Sequence, residues 1–406
     1  MAELSHRRQA AGAFFGVAGA ALLTIGLSGC QLVPAAPGPA ASAPPAEAAQ
    51  AAEAVLAPVR PKPAGPAPSP AAATHHRIAV LVPTTGANAG VGQSIANAAN
   101  LALLDTGGER IRITVYDTAR GAGAAAAKAI ADGNRLFLGP LLAEDVRAVA
   151  PAARRAGVPV ISFSNDTSIA GSGVYLMGFT PGQSVLRVVD HARRQGAGRF
   201  AALVPEGIYG RRASQAMIEA VQRGGGTLAG TVPLGRGSVA LKGAATRLAS
   251  FGGYDAVLIA DSGATAAALA PLLRGGTAGA RILGTELWST EADLGATAAL
   301  RGAWYAAASD TMFTQLRTRY RARFGGNPYR LATLGYDAVL MTLRIARDWR
   351  EGQPFPEGEL RDPRGFPGLD GQFRFGAEGV AERALEVREV TAAGSVVVSP
   401  APRGFD

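Results

Sequence analysis

From Arg77 onward, short apolar runs alternate with amphipathic stretches, and this rhythm most constrains what the chain can fold into. Residues 77–83 (RIAVLVP) read as a strand buried on both faces. A turn rich in Thr, Gly and Asn follows over 84–92, then a helix over about 94–105. The pattern continues with strands at 111–116, 136–138 and 158–163 and helices at 123–132 and 144–156. Continuous apolar strands separated by amphipathic helices imply a parallel sheet covered on both faces.

The rhythm restarts at Gln183. Helices at 183–195, 209–223, 239–250 and 264–273 alternate with strands at 199–204, 227–232, 255–260 and 282–283. Two such units predict an α/β fold of two doubly wound parallel-sheet lobes. The remaining chain supplies a strand at 304–308, helices at 311–324 and 332–349, and strands near 371–375 and 385–390. It completes both lobes through a multi-strand hinge, with crossings near Pro181, Ala306 and 352–367. The expected division is residues 76–180 and 306–352 for lobe 1, and 181–305 and 367–398 for lobe 2. Residues 399–406 form a tail.

The N-terminal part has a different chemistry. His6, Arg7 and Arg8 precede an apolar stretch over 10–27, which reads as a secretory signal ending at residue 29. The other reading, a single membrane span, fits the Gly- and Ala-rich composition less well. Cys30 is the single cysteine of the chain. It can form no internal disulfide and no zinc site by itself. Leu27-Ser28-Gly29-Cys30 resembles a bacterial lipobox, and the resemblance implies cleavage after Gly29 and acylation of Cys30. Several acyl chains give stable anchoring. Gln31, rather than Asp, next to the lipidated cysteine points to the outer membrane. Residues 30–75 are dominated by Ala and Pro and cannot bury a core, so they read as a linker.

Charge excludes more than it proposes. The formal net charge of +9 rests almost wholly on arginine, with no basic runs interleaved with aromatics, so nucleic acid is not an expected partner. The four histidines form no metal-binding spacing, and no nucleotide-binding or nucleophile motif is present. No metal, no cofactor and no catalysis are expected.

Four stretches carry a family resemblance: 78–83 with Gly92-Gln93; 137–140 with 157–162; 334–339; and 368–375 with Gly379. In order and spacing they resemble a type I periplasmic-binding-protein fold, the class that includes branched-chain amino-acid binders. Within it, Gly139-Pro-Leu-Leu142, Ser162-Phe-Ser-Asn165 and Gly284-Thr-Glu-Leu-Trp288 are similar to the penicillin-binding protein activator family of outer-membrane lipoproteins. That resemblance implies a non-catalytic regulator of peptidoglycan synthesis. Its partner would be a class A penicillin-binding protein, reached from the periplasmic face of the outer membrane through a lipid anchor. A helical-repeat domain carried by fuller members is replaced here by the Ala/Pro stretch. The second reading is a substrate-binding lipoprotein of an ABC transporter for amino acids or related small molecules.

In either reading a ligand would lie between the lobes, at the C-terminal ends of strands. The expected lining is Thr84, Thr85, Leu142, Ser164 and Asn165 from lobe 1, with Leu141 and Asp166 beside them. Lobe 2 supplies Tyr209, Asp261, Glu286 and Trp288, with Glu206 nearby. An amino-acid binder needs hydroxyl and N–H donors for a carboxylate and an acid for the ammonium. Binders of this class place a serine soon after the strand at 136–138, where this chain has Leu141-Leu142-Ala143. Ser164 and Glu286 are left to serve.

Overall fold

The computed structural model describes residues 75–274, 279–291 and 293–405. The leader, Cys30 and nearly all of the Ala/Pro stretch lie outside the described residues.

The first lobe is built in chain order from β1 (His76–Val82), α1 (Ala89–Thr106), β2 (Ile111–Asp117), α2 (Ala122–Ala131), β3 (Leu136–Leu138), α3 (Ala143–Arg155), β4 (Val160–Ser162) and β5 (Val174–Leu176). Its strands form a five-stranded parallel sheet in the order β2-β1-β3-β4-β5. The apolar run of β1 serves both faces. Ile78, Val80 and Val82 join one core, with α1, and Ala79 and Leu81 join the other, with α2 and α3. That double burial is why β1 lacks the alternation of a half-exposed strand.

The second lobe follows with α4 (Pro181–Arg194), β6 (Arg199–Pro205), α5 (Ile208–Arg223), β7 (Thr227–Leu234), α6 (Ser238–Ala249), β8 (Ala256–Ile259), α7 (Gly263–Arg274), β9 (Arg281–Gly284) and β10 (Trp304–Ala307). Phe200, Ala202 and Val204 of β6 face one core, and Ala201 and Leu203 face the other. Two helices, α8 (Asp310–Phe324) and α9 (Ala332–Ile345), then return to the first lobe, where α9 packs along α1. The hairpin of β11 (Phe373–Phe375) and β12 (Ala381–Arg383) follows, and Leu369, Phe373, Phe375 and Ala381 pack into the first-lobe core, so this stretch joins the first lobe and not, as expected, the second. Finally β13 (Glu386–Thr391) and β14 (Gly394–Ser399) complete a seven-stranded sheet, β14-β13-β10-β9-β8-β6-β7.

Ala306 lies inside β10 and therefore within the seven-stranded sheet, so the return to the first lobe begins beyond Ala307 rather than at residue 306. Helix α1 starts at Ala89, five residues before the sequence-based start, because Gly90 and Gly92 are part of it. Strand β14 extends through Ser399, so the last strand takes one residue that the sequence assigns to the tail.

In each sheet the strand order reverses once, between β1 and β3 and between β6 and β8. Loops leaving the C-terminal ends of strands at such a switch diverge and open a crevice. Thr84 and Thr85 follow β1, Leu141 and Leu142 follow β3, Tyr209 follows β6 and Asp261 follows β8. The topology therefore carries most of the expected site to the two crevices.

Candidate functional site

In the second lobe, Glu286 lies in the turn after β9 and is the hub of a hydrogen-bonded cluster. One of its carboxylate oxygens accepts from the Tyr209 hydroxyl at 2.9 Å, and the other accepts from the Ser184 hydroxyl. Tyr209 also reaches the Thr285 hydroxyl, 3.0 Å away. Three segments thus converge: the first turn of α4, the start of α5 and the turn after β9. Burial pushes the Glu286 carboxyl above its ordinary value, and the two hydroxyl hydrogen bonds do not reverse this. Burial, and then the neighbouring Glu286 charge, raise the Tyr209 phenol as well. The acid suited to an ammonium group is already engaged by side chains of its own lobe.

Several other expected lining residues are engaged by hydrogen bonds within their own lobe. Asp117 accepts from the Thr84 N–H at 2.8 Å and from the Thr85 hydroxyl at 2.6 Å. Burial alone would raise the Asp117 carboxyl, but these bonds hold it below the usual range. Ser164 is buried and its hydroxyl accepts from the Asp166 N–H at 3.2 Å, the geometry of a turn. Asp261 accepts from the Ser262 N–H and the Thr265 hydroxyl at the start of α7. Asn165 is exposed and Leu142 half-buried. Trp288 is fully buried, against the expectation that it lines a cleft. Its ring lies against Gly284 and Tyr305, and its indole N–H donates to the Asp261 carbonyl at 3.0 Å. It is a core residue because the turn after β9 folds back onto the sheet.

What the sequence reasoning missed is how the lobes are joined. Asp166, beyond β4 of the first lobe, accepts from Arg147 of α3 at 2.9 Å and from Arg212 of α5 at 3.1 Å. The Arg212 bond crosses between lobes. Burial raises the Asp166 carboxyl, but hydrogen bonds from Ser168 and Arg147 and the Arg212 charge hold it below its ordinary value. Both arginines keep solvent contact, so the latch is worth about 1 kcal/mol. Arg212→Ala is expected to widen the interlobe angle, seen as a larger radius of gyration by small-angle X-ray scattering, with thermal stability nearly unchanged. An unaltered scattering curve would show that the latch does not set the angle.

The large cavity is also not where the sequence pointed. It encloses about 1350 Å³ between α4, α5, the β11–β12 hairpin, Asp166 and the C-terminal residues, and of the expected cleft residues Asp166 alone lines it.

Residues 76–395 match the family model described as periplasmic binding protein. The chain belongs to the periplasmic binding protein family. A relative in Rickettsia prowazekii, an uncharacterized protein, is 28% identical over 146 residues, which cover 34% of this chain and 38% of that one. The match therefore spans well under half of the curated relative. Among solved structures, the leucine-binding protein LivK of Thermotoga maritima is similar with a TM-score of 0.56 and 24% identity, covering 80% of this chain and 98% of that one. The C-domain of LpoA from Haemophilus influenzae, a regulator of PBP1A, is similar with a TM-score of 0.64 and 19% identity, covering 79% and 99%. Against full-length LpoA the covered share of the other chain drops to 59%. At these identities the shared property is the type I fold, common to solute binders and to a regulator. The matched family and these neighbours are binding proteins or regulators rather than enzymes.

Proposed function

We propose that this periplasmic binding protein is a non-catalytic lipoprotein of the outer membrane that activates a penicillin-binding protein in peptidoglycan synthesis. The observation that carries the reading is the state of Glu286. Ser184 and Tyr209 occupy both of its oxygens. On the facing lobe, Leu141 and Leu142 offer no hydroxyl where a carboxylate would need one. The likeness to LpoA supports the reading, as does the lipobox-like stretch ending at Cys30 with Gln31 after it. In this reading the fold is retained as a two-lobed scaffold, and the linker lets it reach a partner away from the membrane surface.

The solute-receptor reading is supported by the likeness to LivK. It predicts a saturable cleft. A carboxylate denied one charge-assisted hydrogen bond loses roughly 1.5–3 kcal/mol, about one to two orders of magnitude in affinity. Calorimetry with leucine, isoleucine and valine is therefore expected to give no dissociation constant below about 10 μM. Tighter binding would overturn the regulator reading. Its positive arm is capture of purified class A penicillin-binding proteins, with altered glycan cross-linking in their presence. Cys30→Ser should move the protein from the outer-membrane fraction to the soluble one, and inner-membrane residence of the native chain would count for transport.

A further inference from the structure

We infer that the flank cavity between α4 and α5 is a docking trough for an acidic peptide segment of a partner protein. The partner's identity rests on the regulator reading above, whereas the chemistry of the trough does not. At about 1350 Å³ the space exceeds what a small-molecule site usually needs, roughly 300–1,000 Å³, and suits a stretch of chain. Seven arginines and five carboxylates line it. Most of the carboxylates are already committed. Asp190 pairs with Arg194, Glu382 with Arg374, and Asp166 with two arginines at once.

Four arginines of the lining, Arg187, Arg211, Arg223 and Arg383, form no ion pair among the described residues, and of these Arg383 is buried and donates to the Met177 carbonyl. Arg187 is half-buried, and its guanidinium donates only to the Leu385, Ser399 and Pro400 carbonyls and the Ser399 hydroxyl. A cation held partly off solvent, with no carboxylate in direct contact, favours an incoming anion. Arg211 and Arg223 are exposed, twelve positions apart on α5, or about 18 Å along the helix. Glu219 lies between them and lines the same trough. The pattern selects acids at the two ends of a segment and a neutral middle. An extended chain covers about 18 Å in five or six residues.

The test uses the full chain and a fluorescein-labelled heptapeptide, Asp-Asp-Ser-Gly-Ser-Asp-Asp, followed by fluorescence anisotropy at low salt. Saturable submillimolar binding is expected, weakening as salt rises. The Asn-for-Asp peptide and the double variant R211E/R223E should each bind at least tenfold more weakly. Both substituted side chains are exposed, and an unchanged unfolding curve checks that the variant folds. No saturation, or equal binding by wild type and variant, overturns the proposal. So does co-sedimentation with peptidoglycan sacculi that depends on the two arginines while the acidic peptide does not bind; that result assigns the trough to wall glycan. A penicillin-binding protein captured equally by wild type and variant overturns the trough and leaves the regulator reading standing. Peptide binding without such capture does the reverse.

Discussion

Stability of the binding-protein domain is expected to fall as pH rises from about 5 to 8, by up to about 1.4 kcal/mol per pH unit for each buried acid responsible. The main source is Asp337 on α9. It is fully buried; one oxygen accepts from the Leu369 N–H at 2.7 Å, and the other has no hydrogen-bond partner among the described residues. Burial, and then the adjacent Asp370 charge, push its carboxyl up to about 8, although Arg383 opposes the shift. Asp370 is itself held by Arg330 and by the Thr333 hydroxyl. In the unfolded chain an aspartate titrates near pH 4, about 3.9. Between these values the native state binds a proton that the unfolded state lacks, so raising the pH favours unfolding. Glu286 is displaced in the same direction and adds to the slope, while His76 and His191, displaced downward by burial, oppose it below about pH 6.5. Asp117, Asp166, Asp255 and Asp362 are displaced downward and act oppositely, withdrawing stability only as the medium becomes strongly acid. The melting temperature should therefore peak in mildly acid buffer and drop by on the order of 5 °C toward pH 8. Asp337→Asn keeps an acceptor for Leu369 and imitates the protonated acid, so it should flatten the slope. A wild-type melting temperature that is level or rising over this range, or an Asn variant with the same slope, would contradict the assignment.

How much of this was legible beforehand follows from what each feature depends on. The tripeptide Leu-Val-Pro recurs at 81–83, where Pro83 directly follows β1, and at 203–205, where it ends β6, and each copy closes an apolar run. Strands of that kind declare themselves, because burial on both faces leaves no polar interruption. β5 and β12 have three residues each, too few to show a period, and neither was foreseen. β14 was also missed as a separate strand. Its valines 396–398 are exposed at the sheet edge, so no core-facing alternation marks it.

The site divides in the same way. Tyr209, Asp261 and Glu286 could be placed because each follows a recognisable strand. The partner that closes Glu286 could not, since Ser184 lies 102 positions away in sequence. Arg212 and Asp166 are 46 apart and meet only through the interlobe geometry. Trp288 was misplaced because position after a strand says where a side chain starts and not which way the turn folds.

The largest single-residue losses are expected at the two glycines that seat the helices after those Leu-Val-Pro strands. A Cβ at Gly92, in α1, would lie 1.9 Å from the Pro83 carbonyl oxygen, and one at Gly210, in α5, would lie 1.6 Å from the Pro205 carbonyl oxygen. Neither obstacle is a flexible side chain that can swing aside. The helix must slide along its strand or the strand end must bend, and overpacking of this kind costs about 3 kcal/mol. Gly92→Ala loads the first lobe, whose α1 packs along α9. Gly210→Ala loads the second and also shifts its neighbours, Tyr209 against Glu286 and Arg212 against Asp166. It should therefore lower stability and loosen the interlobe latch together, whereas Gly92→Ala should spare the latch. Gly253→Ala is the control, because a Cβ there meets nothing within 4 Å and its backbone is not left-handed. Equilibrium unfolding in urea measures the three. A Gly210→Ala loss below about 0.5 kcal/mol, no larger than an ordinary surface change, would mean that α5 can move outward freely. Close contact with the strand end would then not be what fixes Tyr209 over Glu286.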